Sequence, residues 1–487
     1  MTTLASPPTR AGEDVLTNSG SSAAWTSDDP LIKRAREFVQ RGELADAERL
    51  LTANSDSTAS AEMLDLIGRL RREYSLDEPA LIAKLRPAIG DVTPEDLRQW
   101  RQAGQVQFRV LDGKVMYFRR EPANIFRFCG DAKKRREQHA KAAGAKEDPK
   151  PTWTLEAHLA EVIAAAESTG QKEVAPVRHR IKYVVTVVPQ DVGARTGSLV
   201  RVWLPFPQEY RQQKDVRLIS SSPAGAVVAP NCAGEGPMTG APQRSTYFEQ
   251  KVTDLSKPMA FEEIFEYTSY AYYPRLRDED ARPLPADFPR EYLAERPPHI
   301  VFTPELRAKV AEIIGDERNP LAKARKIFHW IDREVAYCAE EEYCLIPSFA
   351  TKALTCRRGD CGIQTMLFMT MCRAAGVPTR WQSGWETKKI GWNMHDWCEF
   401  YVEPRGWLPA DPSYGVRKSD DPRVRDFYLG HQDAYRMIVN RDYGRPLCPE
   451  KKSLRSEPAD FQRGEVEVDG KNVYFDDWDY TIEFQWK

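Results

Sequence analysis

Cys361 stands in the run Arg358-Gly359-Asp360-Cys361-Gly362-Ile363-Gln364, and His395 follows 34 residues later in Asn393-Met394-His395-Asp396-Trp397. A thiol followed by an imidazole supplies the two groups that nucleophilic acyl transfer needs, a sulfur that attacks a carbonyl and a base that carries its proton. Ile363, Met366, Leu367, Met371 and Ala374 hold helical spacing behind the cysteine, Asp360 is a competent N-cap, and Gly376 with Pro378 ends the run. Cys361 is therefore expected to open a helix, where the positive end of the macrodipole favours thiolate and predicts a lowered pKa. Gly359 and Gly362 on either side are read as room for a substrate carbonyl. The competing reading is a buried structural cysteine, the usual state of a free thiol.

The base needs an orienting partner. Residues 393–402 read as a strand that Pro404-Arg405-Gly406 turns back into Trp407-Leu408-Pro409-Ala410-Asp411-Pro412. With the hairpin centred near Pro404, residue 397 faces 411, and His395 and Asp411 become a diagonal pair on one face. Asp411 can then fix the imidazole tautomer while the other ring nitrogen serves the thiol, giving a Cys361, His395, Asp411 triad. Strand alternation assigns Asp396 to the face away from this chemistry.

Composition bounds what surrounds this constellation. The chain has 487 residues, 70 Lys+Arg against 72 Asp+Glu and 41% hydrophobic residues, with a pI near 6.5 and a mean hydropathy of −0.58. Balanced charge removes a global argument for nucleic-acid binding, and no apolar run reaches the roughly 18 residues that read as a membrane span. Residues 1–30 read as a disordered leader without a secretion signal, which points to the cytoplasm; a processed signal would place the protein in the periplasm or outside the cell. Nine cysteines are an odd count, and Cys338, Cys344, Cys356, Cys361, Cys372 and Cys398 lack paired ligand spacing, so no metal and no cofactor is expected.

The positioning elements divide the chain. Residues 31–130 carry helical periodicity, an N-cap at Thr93-Pro94-Glu95-Asp96, and two alternating runs about Asp112-Gly113, an outline like a winged helix. Mixed charge on the helix after Thr93 favours a packing module over a DNA reader. Residues 131–175 read as a linker helix, 176–275 as an antiparallel β domain with 221–243 as a long loop, and 282–298 as a Pro-rich linker. The catalytic unit is assigned to 276–420 and a C-terminal β extension to 421–487, an α+β protein overall.

Phe328-His329-Trp330-Ile331, Gly359-Asp360-Cys361-Gly362, the run from Cys372 to Arg380, His395-Asp396-Trp397 and Gly406-Trp407-Leu408-Pro409-Ala410-Asp411-Pro412 together resemble the core of the transglutaminase-like superfamily. The resemblance covers about 120 residues and implies a papain-like fold, with the triad at Cys361, His395 and Asp411; the β domain resembles the one that precedes this core in bacterial members. It implies no calcium activation, since no long calcium-binding insert is present. The oxyanion donors are read as the Cys361 backbone N–H with a side chain from the segment Tyr337 to Tyr343.

Thiol chemistry leaves the acyl acceptor open. Water makes a cysteine peptidase or amidase, the favoured reading, acting on a protein or peptide substrate; a lysine amine makes a protein-glutamine transglutaminase. Trp381, Trp385, Trp392, Trp397 and Trp407 near the site are read either as core or as a wall against water. A reading of another class is a non-catalytic protein-binding scaffold.

Overall fold

A computed structural model describes residues 23–53, 57–144, 153–232, 234 and 238–486. Most of the expected leader lies outside the described residues; Ala23–Thr26 and the chain from Pro30 are helical. The fold is α+β.

The N-terminal part is built from capped amphipathic helices. Asp29 caps Pro30–Arg41 and Ser57 caps Thr58–Glu73, and with Leu44–Thr52 between them their apolar faces meet through Ile32, Val39, Leu51, Met63, Ile67 and Leu70. The same cluster takes in Cys344 and Leu345 from the catalytic unit, so these helices share a core with it. Thr93 and Asp96 form a reciprocal capping box on Pro94–Gln102. The hairpin Phe108–Leu111 with Lys114–Tyr117 turns at Asp112 (φ 47°) and Gly113 (φ 78°), the two positive φ values a type I′ turn requires. Where a single linker helix was expected, there are two, Gly130–Ala142 and Leu155–Thr169; the second packs on the catalytic unit through Leu159, Val162 and Ile163.

The β domain has two sheets. One orders Asp479–Trp486, Glu173–Val187, Met259–Tyr272 and Gln213–Ser222; the other orders Lys471–Val473, Glu465–Val468, Leu199–Pro205, Ser245–Lys251 and Val227–Val228. Alternating Ile181, Tyr183, Val185 and Val187 meet Val200, Val202 and Phe248 between the sheets. The C-terminal strands are therefore not a separate extension. They complete both sheets of a domain begun about 300 residues earlier, pairing Val466 with Val202 and Tyr480 with Val185.

In the catalytic unit, Cys361–Ala374 is buried along its whole length up to Arg373, which is why its sequence is apolar on every side. Helices Pro304–Ile314, Pro320–Glu334 and Phe349–Cys356 surround it, and one flank rests on a sheet ordered Gly406–Ala410, Gly391–Val402, Thr379–Lys388 and Arg436–Asn440. The last of these strands carries the unit beyond the boundary expected at 420. No helix among the described residues is long and apolar enough to cross a membrane.

Candidate active site

The hairpin pairs Cys398 with Ala410, Phe400 with Leu408 and Val402 with Gly406. That register puts residue 397 opposite 411 and brings His395 Nε2 to 2.7 Å from Asp411 Oδ2. Asp411 Oδ1 accepts from Ser413 Oγ at 2.9 Å and from the Tyr414 N–H at 3.1 Å, and Arg436 Nη1 lies 2.8 Å from Oδ2. Burial alone would raise this carboxyl; His395 and Arg436 outweigh it and hold Asp411 well below the usual carboxylate range. The imidazole is stacked against Trp397 and meets the edge of Tyr414.

Cys361 opens its helix, with Asp360 accepting the Ile363 N–H at 3.2 Å. Strand pairing on this side of Gly391–Val402 begins only at Cys398, so the edge around residues 395 and 396 is left without a strand partner. The helix start fills that gap. Cys361 Sγ lies 3.4 Å from Asp396 Oδ2, and among the described residues Asp396 is the sole hydrogen-bond partner of the thiol. The expectation that Asp396 is remote from the chemistry is wrong. Alternation does put it on the face opposite His395, and it is the Asp396 side of the strand that meets the thiol, while His395 pairs with Asp411 and does not line the thiol's cavity.

Asp396 also reverses the expected electrostatics. Burial, then the Asp396 and Asp360 carboxyls, push the Cys361 thiol well above its ordinary value; the Asp396 backbone N–H works in the opposite direction and is outweighed. The helix start therefore holds a neutral thiol at rest. Burial and the neighbouring Asp360 likewise push Asp396 well above the carboxylate range. The Tyr343 hydroxyl sits 2.8 Å from Asp360 Oδ1 and 3.1 Å from Asp396 Oδ2 and accepts the Gly362 N–H at 3.1 Å. One hydroxyl proton cannot serve two carboxylates, so this cluster needs a proton on one of them.

The flanking glycines have another purpose than the one expected. A Cβ on Gly362 would strike the Tyr343 hydroxyl and lie 2.8 Å from Asp396 Oδ2, and one on Gly359 would strike Ile363. They admit neighbouring side chains rather than a substrate carbonyl.

Cys361 opens on a cavity of about 350 Å³ whose walls come from three stretches of chain. Arg120, Asn124 and Arg127 come from the N-terminal helices, Tyr337, Ala339 to Tyr343, Trp392, Asn393, Met394 and Asp396 from the core, and Glu457, Asp460, Gln462 and Arg463 from the C-terminal segment; His395 is not among the lining residues. Asn124 locks the middle wall in both directions, donating to the Ala339 carbonyl at 2.9 Å and accepting its N–H at 2.8 Å. Gln462 Nε2 reaches Asp396 Oδ1 at 2.7 Å and the His395 carbonyl at 2.9 Å. Sequence reading missed these N- and C-terminal contributors because nothing local marks them; Asp396 was visible beside His395, and what was misjudged was the face of the strand that meets the thiol. Of the five tryptophans, Trp381, Trp385, Trp397 and Trp407 are buried in the core, and Trp392 lines the cavity.

Residues 307–412, which contain Cys361, His395 and Asp411, match the transglutaminase-like superfamily. This is a transglutaminase-like core. The chain is also similar to an uncharacterized protein of Haemophilus influenzae, 27% identical over 223 residues, covering 38% of this chain and 59% of that relative's length. Among solved structures it is similar to a proposed cysteine protease from Cytophaga hutchinsonii, at 14% identity and a TM-score of 0.42, covering 65% of this chain and 91% of that one. The periplasmic domain of TgpA from Pseudomonas aeruginosa is similar at 16% identity and a TM-score of 0.26, covering 54% of this chain and 93% of that one. The N-terminal helices and the C-terminal segment that wall the cavity lie outside residues 307–412.

Proposed function

We propose that the protein is a thiol-dependent acyl-transfer enzyme that hydrolyses a peptide or carboxamide bond. The observation that carries the reading is the Cys361 thiol at a helix start, in a cavity, against a strand edge whose next residue is an Asp-held histidine. Asp411 binds Nε2 of His395, which leaves Nδ1 as the nitrogen that takes the thiol proton. For attack, the thiol exchanges its Asp396 hydrogen bond for His395. The S–H proton moves to Nδ1, sulfur bonds to the carbonyl carbon, and the carbonyl π pair becomes an oxyanion. Collapse breaks the C–N bond, the Nδ1 proton leaves with the amine or ammonia, and a thioester remains. Water then attacks, giving one proton to Nδ1, and collapse returns that proton to the departing sulfur.

The oxyanion donors in this reading are the Cys361 backbone N–H and the Tyr337 phenol. Tyr337 pairs with Gly359 in a short parallel ladder and lines the same cavity, and the neighbouring thiol, ahead of burial, is what pushes its phenol up. Water is favoured over an amine as acceptor because four of the five tryptophans are spent in the core, which leaves no indole wall around the thiol.

Incubation with dimethylcasein and a dansylated primary amine, using wild type and Cys361→Ala, tests the proposal. Cleavage or ammonia release by wild type alone is the expected result. Amine incorporation by wild type alone replaces hydrolase with transglutaminase, and equal behaviour of the two proteins removes the thiol from the mechanism.

A further inference from the structure

A second cavity, of about 670 Å³, shares no lining residue with the thiol's. It opens where the end of Leu155–Thr169, the chain after Met259–Tyr272, helix Pro320–Glu334 and the segment from Pro422 to His431 come together. Leu321 and Leu429 are buried in its lining, and Leu276 and Tyr273 are half-buried, so one part of it is apolar.

Backbone and ring contacts hold this lining in place. Leu429 is bridged to Ala410, and Gly430 donates its N–H to the Pro409 carbonyl at 2.7 Å. The two ring nitrogens of His431 lie 3.0 Å from the Pro274 carbonyl and 3.2 Å from the Phe427 carbonyl, and the Tyr273 ring stacks on His431 with centroids 4.1 Å apart. A preformed, part-apolar cavity of this volume has the dimensions of a small-molecule site.

Its charges do not pair off evenly. Arg325 donates to both oxygens of Asp278 at 2.8 Å. Arg423 lies 2.8 Å from Glu167 and 2.7 Å from Asp421, which engages Glu167 as well. Asp426 lies 3.0 Å from His329 Nε2. Lys172, Arg275 and Arg277 are left over. All three are exposed, and none has an ion pair or a side-chain hydrogen bond among the described residues; Lys172 lies over the Tyr272 ring at 5.7 Å. Against Asp426 they leave the cavity an excess of two positive charges. A concave wall of low dielectric concentrates the field of such charges on whatever enters it.

That excess points to the chemistry of the ligand. A phosphate monoester carries close to two negative charges at pH 7 and presents three terminal oxygens, a match for two guanidinium forks and one ammonium. A carboxylate brings one charge and two oxygens and leaves a cation unanswered. An apolar group on the ester oxygen would cover Leu276, Leu429 and the Tyr273 ring, which inorganic phosphate would leave in water.

We propose that this cavity is a binding site for a small phosphate monoester with an apolar ester group, its phosphate held by Lys172, Arg275 and Arg277. The proposal is independent of the reading of Cys361 as the nucleophile.

Calorimetric titration of the full chain with phenyl phosphate at pH 7, in about 0.15 M sodium chloride, tests it. Wild type and Cys361→Ala should bind one equivalent with equal affinity. Arg275→Gln with Arg277→Gln should weaken binding by about tenfold or more. Both arginines are exposed and unpaired, so R275Q/R277Q should melt with wild type when no ligand is present. Lys172→Gln alone, on a separate segment, should also weaken binding, and it decides the matter if the double variant does not fold. Lys133→Gln with Lys134→Gln removes the same charge from the exposed face of Gly130–Ala142 and should bind as wild type does. Inorganic phosphate and benzoate should each bind about tenfold more weakly than the ester, and phenol not at all.

No binding by wild type, or equal weakening in R275Q/R277Q and K133Q/K134Q, overturns the site. Inorganic phosphate or benzoate binding as tightly as phenyl phosphate overturns the ligand class.

Discussion

Cys361 Sγ and Asp396 Oδ2 are 3.4 Å apart, so the resting thiol is hydrogen-bonded to a carboxyl rather than to the imidazole of the preceding residue. A carboxylate at that distance opposes a thiolate, and burial acts in the same direction. Asp396→Asn removes a carboxyl whose ionisation opposes the thiolate and should lower the thiol pKa, raising iodoacetamide labelling of Cys361 at pH 7 about tenfold for each unit of fall. In wild type at pH 7, the exposed Cys356 should label before Cys361. Peptide mapping over a pH series checks both, and Cys361 labelling first in wild type would show that the carboxyl does not govern the thiol.

His395→Ala should abolish turnover. Asp411→Asn should leave a residual rate, lower by about 10⁴-fold, because the base remains while its tautomer is no longer fixed. Asp396→Asn should retain turnover. An inactive D396N beside an active H395A, measured as thioester formation, would make Asp396 the base.

Arg436 is 3% exposed and sits between two buried carboxyls, 2.8 Å from Asp411 and 3.1 Å from Asp433. Replacing it with Met removes the cation that both buried carboxylates share and leaves them only His395 and neutral donors, and the expected loss is about 3–5 kcal/mol. Urea unfolding reads this directly, and a loss below about 1 kcal/mol would show that the carboxyls find other partners.

Burial pushes Glu121, Glu263 and Glu457 up to about 8. Their folded pKa lies above the unfolded one, so the folded state holds protons that the unfolded state has lost. Their contribution to stability is complete below about pH 4.5 and disappears as pH rises through about 8. His179 and His431, lowered to about 4 by burial, act oppositely, and their contribution is already complete above about pH 6.5. Between pH 6.5 and 8 the acids act alone, and stability should fall by up to about 1.4 kcal/mol per pH unit for each. Urea midpoints that rise across this window would contradict the burial of these carboxyls.

The sequence by itself determined whatever depends on neighbours along the chain. Asp360 and Thr93 announce helix starts because a cap and its N–H groups lie within three residues. The hairpin register that joins His395 to Asp411 follows from one short turn, since two strands leaving a tight reversal have little freedom to slip. The macrodipole at Cys361 was equally legible. Its outweighing by burial, Asp396 and Asp360 was not, because desolvation depends on every residue packed around the thiol. Pairing of strands near 470–485 with strands near 180–205 carries no local signal either, since it joins segments whose separation no turn records. The tertiary structure alone decided that Arg120, Tyr337 and Asp460, from three distant parts of the chain, enclose one thiol.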